Sequence, residues 1–151
     1  MSERALKRIN KELADISGNP PENAHIDVDP ADNFSWNVVF TGPADSCYAG
    51  GKFMATMKFP DNYPFKAPEV TFVTKVYHPN ISKSTGEICA DVFVNSWSPT
   101  LNARYVIEAL CSMFMNPNAD SPVEPEIAAQ LTNNPAEFEA TVRQWVQQYA
   151  T

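Results

Sequence analysis

The spacing of apolar residues changes several times along the chain, and each change marks an element. Leu6, Ile9, Leu13 and Ile16 recur every three or four positions, which puts one apolar stripe on a helix over 3–17. Gly18 and Pro20-Pro21 end it. The period then falls to two. Phe34, Trp36, Val38 and Phe40 alternate with smaller or polar residues, as do Phe53, Ala55, Met57 and Phe59, and then Val70, Phe72 and Thr74. Gly42-Pro43 and Gly50-Gly51 punctuate the gaps. A weaker strand is expected over 25–29. Short connections and alternation favour an antiparallel meander.

Residues 75–101 keep no period, and an aperiodic stretch of that length in a compact chain is usually functional. A helix is expected near 102–114. Val106, Leu110 and Met113 mark its buried face, and Ile107, Cys111 and Phe114 widen it. Pro117, Pro122 and Pro125 break the chain, and a short helix is expected over 125–132. The last helix has a clear start: Asn134 as N-cap, Pro135 in the first turn and Glu137 at the capping-box position. Phe138, Val142, Trp145 and Tyr149 are expected on its inner face. No repeat, linker or low-complexity tract interrupts this order. The expectation is one α+β domain over 1–151, without extensions.

Composition narrows the function classes. A chain of 151 residues with 44% hydrophobic content is globular. A net charge of -7 argues against a general nucleic-acid binder, which needs basic surface. No apolar run approaches the roughly 20 residues of a membrane span. The opening Met1-Ser2-Glu3-Arg4 does not read as a secretory signal, so the cytoplasm or nucleus is expected. Cys47, Cys89 and Cys111 are an odd set with no CxxC pair, which disfavours a disulfide framework or a zinc site. No metal or cofactor is expected, and a monomer is. Cys111 reads as core and Cys47 as a small filler in a turn-rich loop. Arg4, Lys7, Arg8 and Lys11 form a basic stripe about 100° wide on the first helix. It is either a solvated face or a docking surface for an acidic partner.

Cys89 alone sits among other reactive side chains. The aperiodic segment reads His78-Pro79-Asn80, then Gly86-Glu87-Ile88-Cys89-Ala90-Asp91, then Trp97-Ser98-Pro99. It brings a thiol, an amide and a carboxylate together, and a thiol so placed can carry a covalent intermediate. With Tyr63-Pro64-Phe65-Lys66-x-Pro68, Gly42-Pro43, Tyr48-x-Gly50-Gly51 and Asn116-Pro117-Asn118, these motifs resemble the ubiquitin-conjugating enzymes. The resemblance runs from Leu6 to Tyr149 and is greatest to the minimal, broadly acting members that work with RING ligases. It implies a four-stranded antiparallel meander with an N-terminal helix and C-terminal helices.

It also implies roles. Cys89 would accept ubiquitin as a thioester from an activating enzyme, which spends the ATP, and yield it to a lysine or a ligase cysteine. Asn80 would donate to the oxyanion formed when lysine attacks, brace the loop, or do both. His78, with Pro79, would be structural and not the base of a Cys–His dyad. Asp91 would orient the incoming lysine and ease its deprotonation, unless it only caps local N–H groups. Ser121 matches a gate position that is aspartate in several relatives. Phe65, Ser98 and Pro99, with Arg8, match the surface that binds RING or HECT ligases, although core packing is a second reading of Phe65. Lys7, Arg8 and Lys11 match the surface met by the activating enzyme.

Four features depart from the pattern. Ala90 replaces a leucine, and 81–87 is one residue longer. Glu108 replaces an apolar residue on the helix that packs on donor ubiquitin in the family. His25-Ile26-Asp27 replaces small residues on the back of the sheet, which puts non-covalent ubiquitin binding there in doubt. Two alternatives therefore stand beside a ubiquitin-conjugating enzyme: a conjugating enzyme for another ubiquitin-like modifier, and a non-catalytic ubiquitin-binding variant. Cys89 with Asn80 and Asp91 argues against the second.

Overall fold

The computed structural model describes residues 2–151. Helix α1 spans Glu3–Gly18, and the Ser2 hydroxyl accepts from the Ala5 N–H at 3.2 Å to cap it. Its buried residues are Ala5, Ile9, Glu12 and Ile16. Leu6 and Leu13, expected in the inner stripe, are only partly buried. The face is turned toward a buried carboxylate, whose partners lie far away in sequence.

Strands β1 (Ala24–Asp29), β2 (Asp32–Thr41), β3 (Lys52–Lys58) and β4 (Glu69–Phe72) form one antiparallel sheet in chain order. Trp36 faces Met57, Val38 faces Ala55, and Phe40 faces Phe53 in the β2–β3 register. All six are buried, so the period-two pattern is the core face of the sheet. Thr74 lies outside β4. Its hydroxyl instead accepts from the Met54 N–H at 2.9 Å, and the Val73 and Thr74 N–H groups both donate to the Met54 carbonyl. The strand thus ends in a tight local knot.

Helix α2 (Ala103–Met115) starts at Asn102, whose side chain accepts from the Tyr105 N–H at 2.9 Å. Its buried face is Ala103, Val106, Ile107, Leu110, Met113 and Phe114. Cys111 is half-buried and not part of that core. Phe114 packs against Phe40, Tyr48, Phe53, Phe72 and His78, with ring centroids 4.9–6.2 Å apart. It joins α2 to the sheet and to the aperiodic segment.

Helices α3 (Pro125–Asn133) and α4 (Pro135–Tyr149) close the structure. Asn134 caps α4 by accepting from the Glu137 N–H at 3.3 Å and donating to the Glu137 carboxylate at 2.9 Å. The inner face of α4 is Phe138, Val142 and Val146, in steps of four. Trp145 and Tyr149 are displaced to the flank, where Trp145 packs on Tyr77 and Tyr149, and Lys75 lies over the Tyr149 ring. That corrects the expected face: the two rings cover the rim of the core.

Candidate active site

His78 is fully buried, between Tyr48 and Phe114. Its Nδ1 accepts from the Asn80 N–H at 2.9 Å, and its Nε2–H donates to the Met113 carbonyl at 2.8 Å. Both nitrogens are committed, so the ring is neutral with its proton on Nε2. Burial pushes its pKa down to about 4 against the opposing pull of the Met113 carbonyl. The ring shapes the turn and ties it to α2.

Pro79 is buried, and its carbonyl accepts from the Val123 and Glu124 N–H groups. The Asn80 carbonyl accepts from the Cys89 N–H at 2.9 Å. The Asn80 side chain pairs with the backbone of Asn118 in both directions: Nδ2 donates to the carbonyl and Oδ1 accepts from the N–H, each at 2.9 Å. Asn80 therefore fastens the turn, the Cys89 segment and the 116–121 loop together. The bracing geometry is present. The second Nδ2 hydrogen has no partner among the described residues.

The loop between these parts closes on Gly86. The Ser82 N–H donates to the Glu87 carbonyl and the Gly86 N–H to that of Ser82, each at 2.8 Å. Gly86 has φ +79°, and a Cβ there would lie 2.1 Å from the Phe72 carbonyl oxygen. Only glycine lets the loop lie that close to the end of β4. The Lys83 N–H donates to the Glu124 carboxylate at 2.9 Å. The 81–87 segment is thus tied at both ends.

Cys89 is half-buried and leads into a single 3₁₀ turn, Ala90–Val92. Its thiol donates to the Ser121 carbonyl at 3.1 Å. Ser121 therefore meets the thiol through its backbone, a contact that no side-chain reading could find. Asp91 is exposed and accepts from the Asn95 side-chain amide. Cys89, Asn80, Asp91, Ser121 and Asn118 line one cleft of about 160 Å³, whose other wall is Ala109, Ser112 and Met113 of α2. All four residues expected at the centre of the chemistry come together there. An open cleft with a thiol at its edge, amide groups around it and a nearby carboxylate suits transfer of a group held on sulfur.

Residues 8–146 match the family model for ubiquitin-conjugating enzymes. The chain belongs to the ubiquitin-conjugating enzyme family. A solved Plasmodium yoelii structure, assigned as a ubiquitin-conjugating enzyme, superposes with a TM-score of 0.92 at 34% identity, over 100% of this chain and 98% of that one. The E2 domain of a Toxoplasma gondii ubiquitin-conjugating enzyme superposes with a TM-score of 0.87 at 33% identity, over 96% and 98%. The four-stranded meander with its N-terminal and C-terminal helices is therefore the family fold.

The residues expected at a ligase surface lie on two neighbouring loops of this family member. Phe65 is 69% exposed, so the core-packing reading of it is wrong. It lines an open groove with Val94, Trp97 and Pro68. The Trp97 indole N–H donates to the Pro64 carbonyl at 2.8 Å, which fixes the loops together. The Ser98 and Thr100 hydroxyls bond each other at 2.7 Å, and Pro99 is exposed. Lys7 and Lys11 are exposed, but Arg8 turns inward. Its guanidinium donates to the Leu101 carbonyl at 2.8 Å and to that of Pro99 at 3.4 Å. Its Nε also meets Glu12 at 2.7 Å. Arg8 thus turns out of the exposed basic stripe and supports the 97–101 loop. Glu12 was missed in the sequence; its one sign there was the i, i+4 spacing from Arg8.

Proposed function

We propose that this chain accepts ubiquitin from an activating enzyme as a thioester on Cys89 and transfers it to lysine or to a ligase cysteine. The observation that carries this reading is the convergence of Cys89, Asn80, Asp91 and Ser121 on one open cleft. In the first step the Cys89 sulfur bonds to the carbonyl carbon of the ubiquitin C-terminus. The bond from that carbon to the activating enzyme's sulfur breaks, that sulfur leaves as thiolate, and the Cys89 proton passes to solvent. One thioester replaces another, so the step needs alignment more than a strong base. In the second step a lysine nitrogen bonds to the same carbon, the amine loses its proton to solvent, and Cys89 leaves as thiolate.

The unpartnered Nδ2 hydrogen of Asn80 is available to the oxyanion of that second step. Asp91, exposed at the cleft edge, takes a hydrogen bond from the incoming amine. Partial burial of that amine in the cleft lowers its pKa and frees the lone pair. Phe65, Ser98, Pro99 and Arg8 present the ligase surface, and Lys7 and Lys11, with Arg8, the activating-enzyme surface.

The test is a charging assay with ubiquitin, activating enzyme and ATP. A product about one ubiquitin heavier that reductant removes is expected, and Cys89→Ser should give a reductant-resistant oxyester instead. Absence of both, beside a control enzyme that charges, refutes the reading. Glu108 supports a second reading. It is exposed on α2 and lines a groove separate from the Cys89 cleft, beside Arg104 and Asn19. A carboxylate there suits a modifier with a basic patch. Charging by such a modifier and not by ubiquitin would favour it.

A further inference from the structure

Glu12 is a buried carboxylate outside the cleft, and three donors converge on it. Its Oε1 accepts from the Tyr63 hydroxyl and from the Ala103 N–H, both at 2.7 Å. Its Oε2 accepts from Arg8 Nε at 2.7 Å and from the same Tyr63 hydroxyl at 2.9 Å. These partners belong to three different parts. Ala103 is the first residue of α2. Tyr63 starts the loop carrying Phe65, and its ring lies 5.9 Å from the Arg8 guanidinium. Arg8 in turn holds the carbonyls of Pro99 and Leu101. A buried charge with one partner removed is costly, so these parts are held in one arrangement.

The other end of α2 reaches the thiol. Ala109, Ser112 and Met113 wall the Cys89 cleft, and the Met113 carbonyl holds the His78 ring that positions Asn80. We infer that Glu12 is a positioning residue that couples occupancy of the ligase-facing loops to the placement of α2 beside Cys89. A partner pressing on Phe65 and Pro99 moves the two loops, and the shared carboxylate passes that shift to the start of α2. The coupling rests on the conjugating reading above.

The experiment uses the full chain with ubiquitin, activating enzyme and an isolated RING domain shown by titration to bind the native protein. Three rates are compared in the native protein and in Glu12→Gln: charging, discharge to free lysine alone, and discharge at saturating RING domain. Glutamine keeps an oxygen for Ala103 and Tyr63 but sets an N–H against Arg8 Nε, so it breaks one arm of the hub. The stimulated rate is expected to fall about tenfold. Unstimulated discharge should stay within about twofold, and reading discharge from pre-charged protein at saturating RING domain removes any change in charging or affinity that follows from freeing Arg8. A merely structural carboxylate would lower all rates by one factor, and that result overturns the coupling. So does an unchanged stimulated rate, or a loss confined to RING affinity. If Glu12→Gln does not fold, Tyr63→Phe removes one hydroxyl and should lower the stimulated rate alone, by about threefold, and no such loss overturns the coupling. Failure of the native protein to charge refutes the conjugating reading itself. A native protein that charges and responds to the RING domain, beside a variant that matches it, refutes only the coupling.

Discussion

The histidine beneath the cleft makes folding stability depend on pH in one direction. His78 titrates at about 4 in the fold, against 6.5 for an ordinary histidine. Between those values the unfolded chain holds a proton that the folded chain refuses, so stability falls as pH falls. Above pH 6.5 both states are neutral and the full contribution is present. The whole difference is worth about 3 kcal/mol at 1.36 kcal/mol per pH unit. About 2 kcal/mol of it is lost by pH 5. The cause is local: the ring is fully buried, both nitrogens are bonded, and protonating Nδ1 would set an N–H against the Asn80 N–H. The assay is urea unfolding at pH 7.5, 6 and 5, for the native protein and His78→Gln. The variant should be less stable at pH 7.5, yet lose about 2 kcal/mol less between pH 7.5 and 5. Equal losses in both proteins over that range would refute the reasoning, because the pH dependence would then belong to the carboxylates.

Three further outcomes follow from named contacts. Gly86→Ala places a Cβ against the Phe72 carbonyl at positive φ and should cost at least about 1–3 kcal/mol; an unchanged urea midpoint would contradict this. Phe65→Ala should move stability by less than about 0.5 kcal/mol while weakening RING-domain binding by about 2 kcal/mol or more; native affinity in a titration would remove Phe65 from the interface. Asn80→Asp sets an oxygen against the Asn118 carbonyl and loses both amide hydrogens, so lysine discharge should fall about 100- to 1000-fold. If charging and discharge fall by the same factor, bracing alone explains Asn80.

Most of the frame was legible because the core faces repeat at the periods of helix and strand. Trp36, Val38 and Phe40 declare β2 by themselves, and Asn134 with Glu137 declares the start of α4. What could not be read is set by partners distant in the chain. Glu12 is buried because Tyr63, 51 residues away, and Ala103, 91 away, supply its hydrogen bonds. A helical wheel can only call such a residue polar. For the same reason the sequence puts Arg8 in one basic stripe with Arg4, Lys7 and Lys11, and does not show that it turns inward to Glu12 and Leu101. In α4, Trp145 and Val146 are both apolar, and only the position of Tyr77 decides which flanks and which fills. At the cleft, motif order located Cys89, Asn80 and Asp91. The contact of Ser121 is a backbone one, and backbone contacts carry no residue signature.

The arrangement around Cys89 divides the work between alignment and recognition. Its thiol meets a carbonyl, and the histidine of the motif is locked away with both nitrogens in use. No dyad therefore drives the sulfur, and the geometry favours exchange between bonds of similar energy. Such chemistry runs on the placement of the carbonyl carbon, and the Asn80–Asn118 pair fixes the loops that would hold it. The cleft is open and lined mainly by uncharged groups beside Asp91, which on the proposed reading suits lysines presented by many proteins. Selectivity on that reading comes from surfaces outside it, such as exposed Phe65 and the 97–101 loop that Trp97 and Arg8 brace. On the proposed conjugating reading a partner's arrival is felt at the sulfur, and Glu12, bonded to Tyr63, Arg8 and Ala103, is the residue inferred to carry it.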